Sequence, residues 1–157
     1  MKITHLYLSP EHRFVGRFGQ EPREAPIREV RRVHAVTGKG LEGDRYFARA
    51  DGHKGQVTFF AEETWERLRR ELAVDATPDV FRRNVIVRGA DLRALIGQEF
   101  ELQAVRFFGA EHCRPCCWMD RAFGAGTLER LAEWEAGGLR ARILSDGWLH
   151  CESEVAS

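Results

Sequence analysis

Glu111-His-Cys-Arg-Pro-Cys-Cys-Trp-Met-Asp120 holds three of the four cysteines of the chain. Three thiols within five positions indicate sulfur chemistry, or a ligand held by sulfur, more than the filling of a core by small apolar residues. The rest of the 157-residue sequence predicts a small β-rich scaffold that brings distant polar residues to this stretch. We call residues 113–117 the cysteine loop.

The first part of the loop, Cys113-Arg-Pro-Cys116, is a Cys-x-x-Cys motif. Its first interpretation is half of a zinc site, which needs two more ligands. His112, Cys117 and Cys151 are available for that role, but no second paired motif occurs at the usual spacing. A thioredoxin-like dithiol is the second interpretation, and it requires a helix that begins at the motif. The next strong helical pattern in the sequence begins well after it.

In the third interpretation a single thiolate binds a soft metal centre or carries sulfur. Thiolates are natural ligands of the softer transition metals, and an arginine such as Arg114 favours the charged form of a neighbouring thiol. Pro115 would rigidify the turn that presents Cys116. The residues alone leave the three interpretations open.

The segments on both sides of the loop predict short strands with few helices. Apolar alternation predicts strands at residues 2–9, 27–36, 55–60, 85–87, 98–110, 139–144 and 148–151, with a hairpin as the alternative for residues 98–110. Helices are predicted at residues 61–73, with Trp65, Leu68 and Leu72 on one face, and at residues 128–136, with Thr127 as N-cap and Gly137 as stop. This pattern predicts one domain over residues 1–157, mainly β with a few helices (α+β), as a closed or nearly closed β-barrel.

Polar segments between the predicted strands are candidates for a pocket. Residues 37–45 form a glycine-dense turn ending in Asp44-Arg45, where the backbone could approach an anion closely. The spacing fails the P-loop pattern, and an ordinary glycine-rich hairpin is the alternative. Arg82, Arg83 and Asn84 stand at the mouth of a buried strand, although Asn84 could equally cap a turn. Residues 9–26 have no clear period and predict a long loop that could serve a site.

Composition excludes some partners. Basic and acidic residues number 24 each, so no net field recruits nucleic acid or an anionic membrane. The first residues lack the apolar run of a signal peptide, and no stretch reaches the roughly 20 apolar residues that span a bilayer. We therefore expect a cytoplasmic protein with free thiols that binds neither nucleic acid nor membrane.

Five motifs occur in the order seen in the MOSC domain family, named after the C-terminal domain of molybdenum cofactor sulfurase. They are residues 36–45, the Arg-Arg-Asn of residues 82–84, residues 91–97, the Cys-x-Pro-Cys of the cysteine loop, and residues 137–147. The chain resembles a short stand-alone member of this family over nearly its full length.

The resemblance implies a β-barrel and a functional cysteine after the proline. That residue is Cys116, which would be the catalytic residue and the ligand to molybdenum. Relatives that bind the molybdopterin-type molybdenum cofactor reduce N-hydroxylated compounds at the metal. Carried over by motif, the residues that would line the cofactor site are Gly43, Asp44, Arg45, Arg83, Asn84 and Cys113.

The resemblance leaves several alternatives open. The chain could be an oxidoreductase or sulfur-transfer enzyme, a carrier that hands sulfur or cofactor to a partner without turnover, or a zinc-stabilised structural domain. Partners would be the cofactor, sulfur donor or acceptor proteins, and a separate reductase. Cys117 follows Cys116 directly and is the alternative functional thiol. Full sulfurases bind pyridoxal phosphate through a lysine on another domain, and Lys2, Lys39 and Lys54 offer no such setting, so no site for it is expected here.

Overall fold

The computed structural model describes residues 1–10, 27–49 and 53–152. The predicted loop of residues 9–26 therefore lies almost entirely outside the described residues. The described strands are β1 Lys2–Leu8, β2 Arg28–Val30, β3 Arg32–Val36, β4 Gly40–Leu41, β5 Val57–Ala61, β6 Val85–Arg88, β7 Glu99–Leu102, β8 Val105–His112, β9 Leu139–Ile143 and β10 Gly147–His150. The helices are α1 Glu62–Leu72, α2 Trp118–Ala122 and α3 Thr127–Glu133, with 3-10 turns at Pro78–Phe81 and Arg93–Leu95.

These strands form two sheets. The larger has seven strands in the order β2-β1-β6-β5-β9-β8-β7, and the smaller has three in the order β10-β3-β4. β5 and β6 run parallel because α1 makes the crossover between them, and the other paired strands run antiparallel. The chain is thus mainly β with few helices, as predicted. The closed or nearly closed barrel is not confirmed, because neither sheet closes on itself within the described residues.

Two apolar layers lie on opposite faces of the larger sheet. Successive strand residues point to opposite faces, and in β5 Phe59 packs in one layer while Phe60 packs in the other. The layer of Phe59 lies between the two sheets and includes Val33 and Leu149 of the smaller sheet. The layer of Phe60 lies under the helices, where Leu68 of α1 is fully buried. The predicted inner face of α1 is confirmed.

The single strand predicted for residues 27–36 is wrong. The chain forms β2, which pairs with β1, and then β3, which pairs with β10 in the other sheet. The apolar residues change phase within this segment because the chain leaves one sheet for the other at Arg31. The hairpin alternative for residues 98–110 is confirmed by the pairing of β7 with β8.

The start of the helix after the cysteine loop also differs from the prediction. Gly126 occupies the N-cap position of α3, and the Thr127 hydroxyl donates to the Gly124 carbonyl instead of capping the helix. Asp120 supplies the cap contact, because its Oδ1 accepts from the backbone N–H of Leu128 at 2.7 Å. Asp120 belongs to α2, a five-residue helix that the apolar pattern does not predict.

No helix in the described part of the chain combines the length and the apolar character needed to cross a membrane.

Candidate functional site

Two adjoining cavities lie where the ends of several strands and the cysteine loop meet. The larger has a volume of about 640 Å³ and the smaller about 280 Å³. Four residues line both of them: Arg45, Tyr46, Arg82 and Arg83. Apart from these four, the larger cavity is lined mainly by charged and polar residues, and the smaller has an apolar wall of Val80, Phe81, Trp118, Met119 and Ala122.

The larger cavity carries an excess of positive charge. Its lysine and arginine side chains are Arg45, Arg49, Lys54, Arg82, Arg83 and Arg140. Glu111 is the only carboxylate among the described residues that line it. Glu111 lies 3.2 Å from Arg140 and 3.7 Å from Lys54. One carboxylate cannot balance six cations, so the cavity favours an anionic ligand.

Arg83 is held rigidly at the border between the cavities. Its Nε donates to the Gly137 carbonyl at 2.9 Å, and its Nη1 donates to the Phe81 carbonyl at 3.0 Å. The third nitrogen, Nη2, is buried and has no hydrogen-bond partner among the described residues. Arg45 has a similar unused donor at Nε, and its guanidinium lies 4.4 Å over the ring of Tyr46. Buried donors of this kind normally find an acceptor, which points to an oxygen-rich ligand.

Asp44 and Asn84 form a buried brace behind the cavity wall. The Asn84 amide nitrogen donates to the Tyr7 carbonyl and to Asp44 Oδ1, each at 3.2 Å. The Asn84 amide oxygen accepts from the backbone and hydroxyl of Thr58 at 3.1 and 3.0 Å. The side-chain amide thus donates two hydrogen bonds and accepts two, so Asn84 has no side-chain donor or acceptor left for a ligand. Asp44 Oδ1 also accepts from the Ser9 backbone at 2.9 Å, which ties the glycine-dense turn to β1.

The glycine-dense turn of residues 37–45 carries Arg45 into the site and is held in place by internal hydrogen bonds. Gly38, Gly40 and Gly43 have φ angles of 72°, 127° and 93°, a region that glycine tolerates best. The backbone N–H groups at positions 38, 39, 42, 44 and 45 donate to carbonyls within the protein. The expectation that this backbone approaches an anion is therefore wrong for those five amides. Gly43 lines neither cavity, whereas Arg45 lines both.

The cysteine loop places its thiols differently. Cys116 is exposed and lines the smaller cavity beside Arg45 and Arg83. Cys117 is exposed and takes the N-cap position of α2, but it lines neither cavity. Cys113 is buried and lines the larger cavity. The structure thus brings Cys116 together with the arginines predicted from the sequence.

Cys113 and Arg140 are neighbours across the larger cavity. Burial disfavours the charged form of Arg140, but hydrogen bonds and negative charge at the Cys113 sulfur and the Glu111 carboxylate outweigh it and raise the pKa of Arg140. Arg140 therefore stays charged, and its ion pair with Glu111 offsets part of that charge. Sequence reasoning missed it, together with Arg49 and Lys54. The only sequence signal for Arg140 was its place within the motif at residues 137–147.

His112 and Gly137 lock the cysteine loop to the chain that follows α3. The Gly137 N–H donates to His112 Nε2 at 3.2 Å, and the Cys113 N–H donates to the Gly138 carbonyl at 2.8 Å. A Cβ atom on Gly137 would lie 2.2 Å from the carbonyl oxygen of Cys113 and 2.8 Å from Pro115 Cδ. Gly137 is thus required for this close contact, and the prediction that it stops the helix is wrong because α3 ends at Glu133.

The described residues contain no group of three or more His, Cys, Asp or Glu side chains placed to hold a metal ion.

The protein is a small mixed α+β domain in which an exposed thiol lies beside a cation-lined cavity. The chain belongs to the MOSC domain family, whose model matches residues 16–156. The resemblance drawn from the sequence motifs is therefore confirmed.

Solved structures show the same fold. The YuaD protein from Bacillus subtilis has a TM-score of 0.72 at 16% identity, over 96% of this chain and 91% of that chain. YiiM from Geobacillus stearothermophilus has a TM-score of 0.69 at 11% identity, over 96% of this chain and 71% of that chain. YiiM from Escherichia coli has a TM-score of 0.62 at 16% identity, over 95% and 71%. A comparison with curated protein sequences found no match.

Proposed function

We propose that the chain binds a molybdopterin-type molybdenum cofactor at the two cavities and that Cys116 is the thiolate that holds the metal. One observation carries the proposal: Arg45, Arg82 and Arg83 line both a cavity rich in cations and a cavity that contains this thiol. A cofactor of this class joins a phosphate to a soft metal. It therefore needs guanidinium groups and a thiolate side by side.

The residues present fit this group. Arg45 Nε and Arg83 Nη2 are buried donors without partners among the described residues, and phosphate oxygens would satisfy them. Arg140 would add charge on the side of Cys113, and Cys116 would supply the soft ligand. When bound, the cofactor supplies the electron-transfer chemistry, and the chain binds and orients it.

The remaining predicted residues have supporting roles in this proposal. Asp44 and Asn84 hold the turn that carries Arg45, and their side chains are committed to internal hydrogen bonds. Gly43 belongs to the same turn. Cys113 lines the cavity from the opposite side and would contact the cofactor without holding the metal. As an enzyme, the protein would reduce N-hydroxylated compounds, with electrons from a separate reductase and protons from water or nearby side chains.

The exposure of Cys116 favours a second candidate function. An exposed thiol can be reached by another protein, so Cys116 would attack the outer sulfur of a donor persulfide, release the donor as a thiolate, and pass the same sulfur to an acceptor thiol. In this case the cations of the larger cavity would hold the anionic part of the cargo or of the acceptor. No pyridoxal phosphate takes part in either proposal.

Metal analysis of protein purified from a host that makes the molybdenum cofactor tests the first function. We expect molybdenum in the natural protein and in Cys117→Ser, which is the matched control, and its loss from Cys116→Ser. Circular dichroism should show the same fold in all three proteins. Full retention of molybdenum by Cys116→Ser would end the assignment of this thiol.

Mass spectrometry of the same proteins, intact and after digestion, distinguishes the second function from the first. A carrier would show one added sulfur atom on the peptide that contains Cys116 and no molybdenum. Zinc in place of molybdenum, with a loss of folding stability on chelation, would indicate the structural alternative.

A further inference from the structure

We propose that His112 is a positioning residue, which sets the affinity of the larger cavity for anions by holding Arg83 in place through the backbone of Gly137. The inference rests on the proposed function, in which Arg83 contacts the anionic group of the ligand. His112 itself lines neither cavity, so its influence must pass through other groups.

The first link is the hydrogen bond at Gly137. His112 lies at the end of β8, where it pairs with Leu139 of β9, and this register brings its ring to the Gly137 N–H. Nε2 lies 3.2 Å from that nitrogen and must accept its hydrogen. A histidine nitrogen accepts only in the neutral ring, so the proton of His112 is on Nδ1.

The second link is the hydrogen bond from Arg83. The carbonyl of Gly137 accepts from Arg83 Nε at 2.9 Å. Gly137 is therefore bonded to His112 through its N–H and to Arg83 through its carbonyl. The Phe81 carbonyl fixes Nη1 at 3.0 Å. With both of these nitrogens anchored, the direction of the remaining donor Nη2 depends on where the carbonyl of Gly137 lies.

The backbone at residues 137 and 138 has no room to absorb a shift. On one side, a Cβ at Gly137 would meet the Cys113 carbonyl oxygen at 2.2 Å. On the other side, a Cβ at Gly138 would lie 3.2 Å from Arg83 Nε. The two glycines are therefore packed closely between the cysteine loop and Arg83. A displacement of the Gly137 N–H is passed on to the groups that contact its carbonyl.

Burial favours the neutral form of His112, and the strongest opposing charge is that of Glu135. Burial lowers its pKa, the guanidinium groups of Arg83, Arg93 and Arg114 lower it further, and Glu135 acts in the opposite direction. Protonation in acid would place an N–H opposite the backbone N–H, and these two donors repel. Acidification should therefore weaken anion binding, although an added positive charge alone would strengthen it. The sign of the pH dependence separates the two effects.

Sulfate binding followed by titration calorimetry tests the inference, because sulfate keeps its charge between pH about 5 and about 7.5. His53 itself lines the cavity, so the parent protein is His53→Gln, which removes any direct effect of that side chain on the bound sulfate. We expect its sulfate affinity to fall about three- to tenfold from pH about 7.5 to about 5, the size of one weakened charge-assisted contact. Adding His112→Gln, whose amide oxygen accepts at every pH, should preserve the neutral affinity and abolish the fall.

Two further variants complete the test. His112→Leu has no acceptor and should bind sulfate at neutral pH as weakly as the parent does in acid. Arg83→Gln should bind weakly at both pH values. An affinity of the parent that stays constant or rises in acid, or a fall that persists in the His112→Gln protein, overturns the role of His112 and leaves the anion site intact. Sulfate binding that is absent, or unaffected by Arg83→Gln, overturns the anion site and this inference with it.

Discussion

Replacing Asn84 with aspartate tests whether the buried brace supports the cavity wall. The amide nitrogen of Asn84 donates to the Tyr7 carbonyl and to Asp44 Oδ1, each at 3.2 Å. In Asn84→Asp an oxygen replaces this nitrogen with almost no change in size. When ionised, that oxygen cannot donate to either acceptor, and it repels the Asp44 carboxylate.

The expected cost follows from these contacts. Two unit charges at 3.2 Å repel by about 5 kcal/mol at an effective dielectric constant of about 20. The introduced carboxyl would instead take up a proton, which costs about 4 kcal/mol at pH about 7 for a group with an ordinary pKa of about 3.9. The loss of one donated hydrogen bond adds about 1 kcal/mol. We therefore expect Asn84→Asp to lower the free energy of unfolding by about 5 kcal/mol at pH about 7.

The cost should shrink in acid. The folded variant binds a proton that the unfolded chain releases, so its stability relative to the natural protein rises as the pH falls. At pH about 5 the uptake costs only about 1.5 kcal/mol, and the expected loss is about 2.5 kcal/mol. Asn84→Ala is the control without an added carboxyl, and it removes all four hydrogen bonds of the amide, including the two from Thr58 that aspartate would keep. It should cost about 3 kcal/mol at both pH values.

Urea unfolding followed by tryptophan fluorescence measures these differences, with each variant compared with the natural protein at the same pH. A loss below about 1 kcal/mol for Asn84→Asp at pH about 7 would refute the brace. A loss that is equal at the two pH values would refute the contact between the introduced carboxyl and Asp44.

Three further predictions concern the larger cavity and the contact between Gly137 and the cysteine loop. Gly137→Ala should lower the free energy of unfolding by about 1–3 kcal/mol, because its Cβ would lie 2.2 Å from the Cys113 carbonyl oxygen; an unchanged urea midpoint would contradict this contact. Burial and nearby arginines lower the pKa of His112 in the folded protein. Below pH about 6.5 the unfolded chain therefore binds more protons than the folded protein does. The free energy of unfolding should fall in acid in the natural protein, and it should fall less in His112→Gln. Glu111→Gln should strengthen sulfate binding about threefold, because it releases Arg140 from its ion pair. Added salt should weaken sulfate binding in the variant and in the natural protein, as calorimetry at two salt concentrations would show.

Much of the local structure could be predicted from the sequence. Strand and helix periods are local signals, and they located β5, the face of α1 that carries Leu68, and the hairpin of β7 and β8. Arg83 was also found, because polar residues before a buried strand can converge on a pocket. Cys116 was identified by its proline and by the family motifs, and the structure places it beside Arg83.

The pairing of distant segments could not be predicted in the same way. Asn84 meets Asp44 because β1 pairs with β6 and Ser9, just after β1, bonds to Asp44, and no local pattern encodes these contacts. Arg140 reaches the larger cavity because β9 pairs with β5, whereas in the sequence it is one more arginine among many. The short α2 escaped prediction because five residues are too few for a helical period to show.

The close contact between Gly137 and the cysteine loop also imposes an order of assembly. The two sides of this contact follow β8 and precede β9, so the loop can settle only after those strands have paired. We therefore expect the thiols to take their places late in folding, and we expect this contact to open locally before the rest of the native structure. The alkylation rate of buried Cys113 would report that opening well before the rest of the chain unfolds.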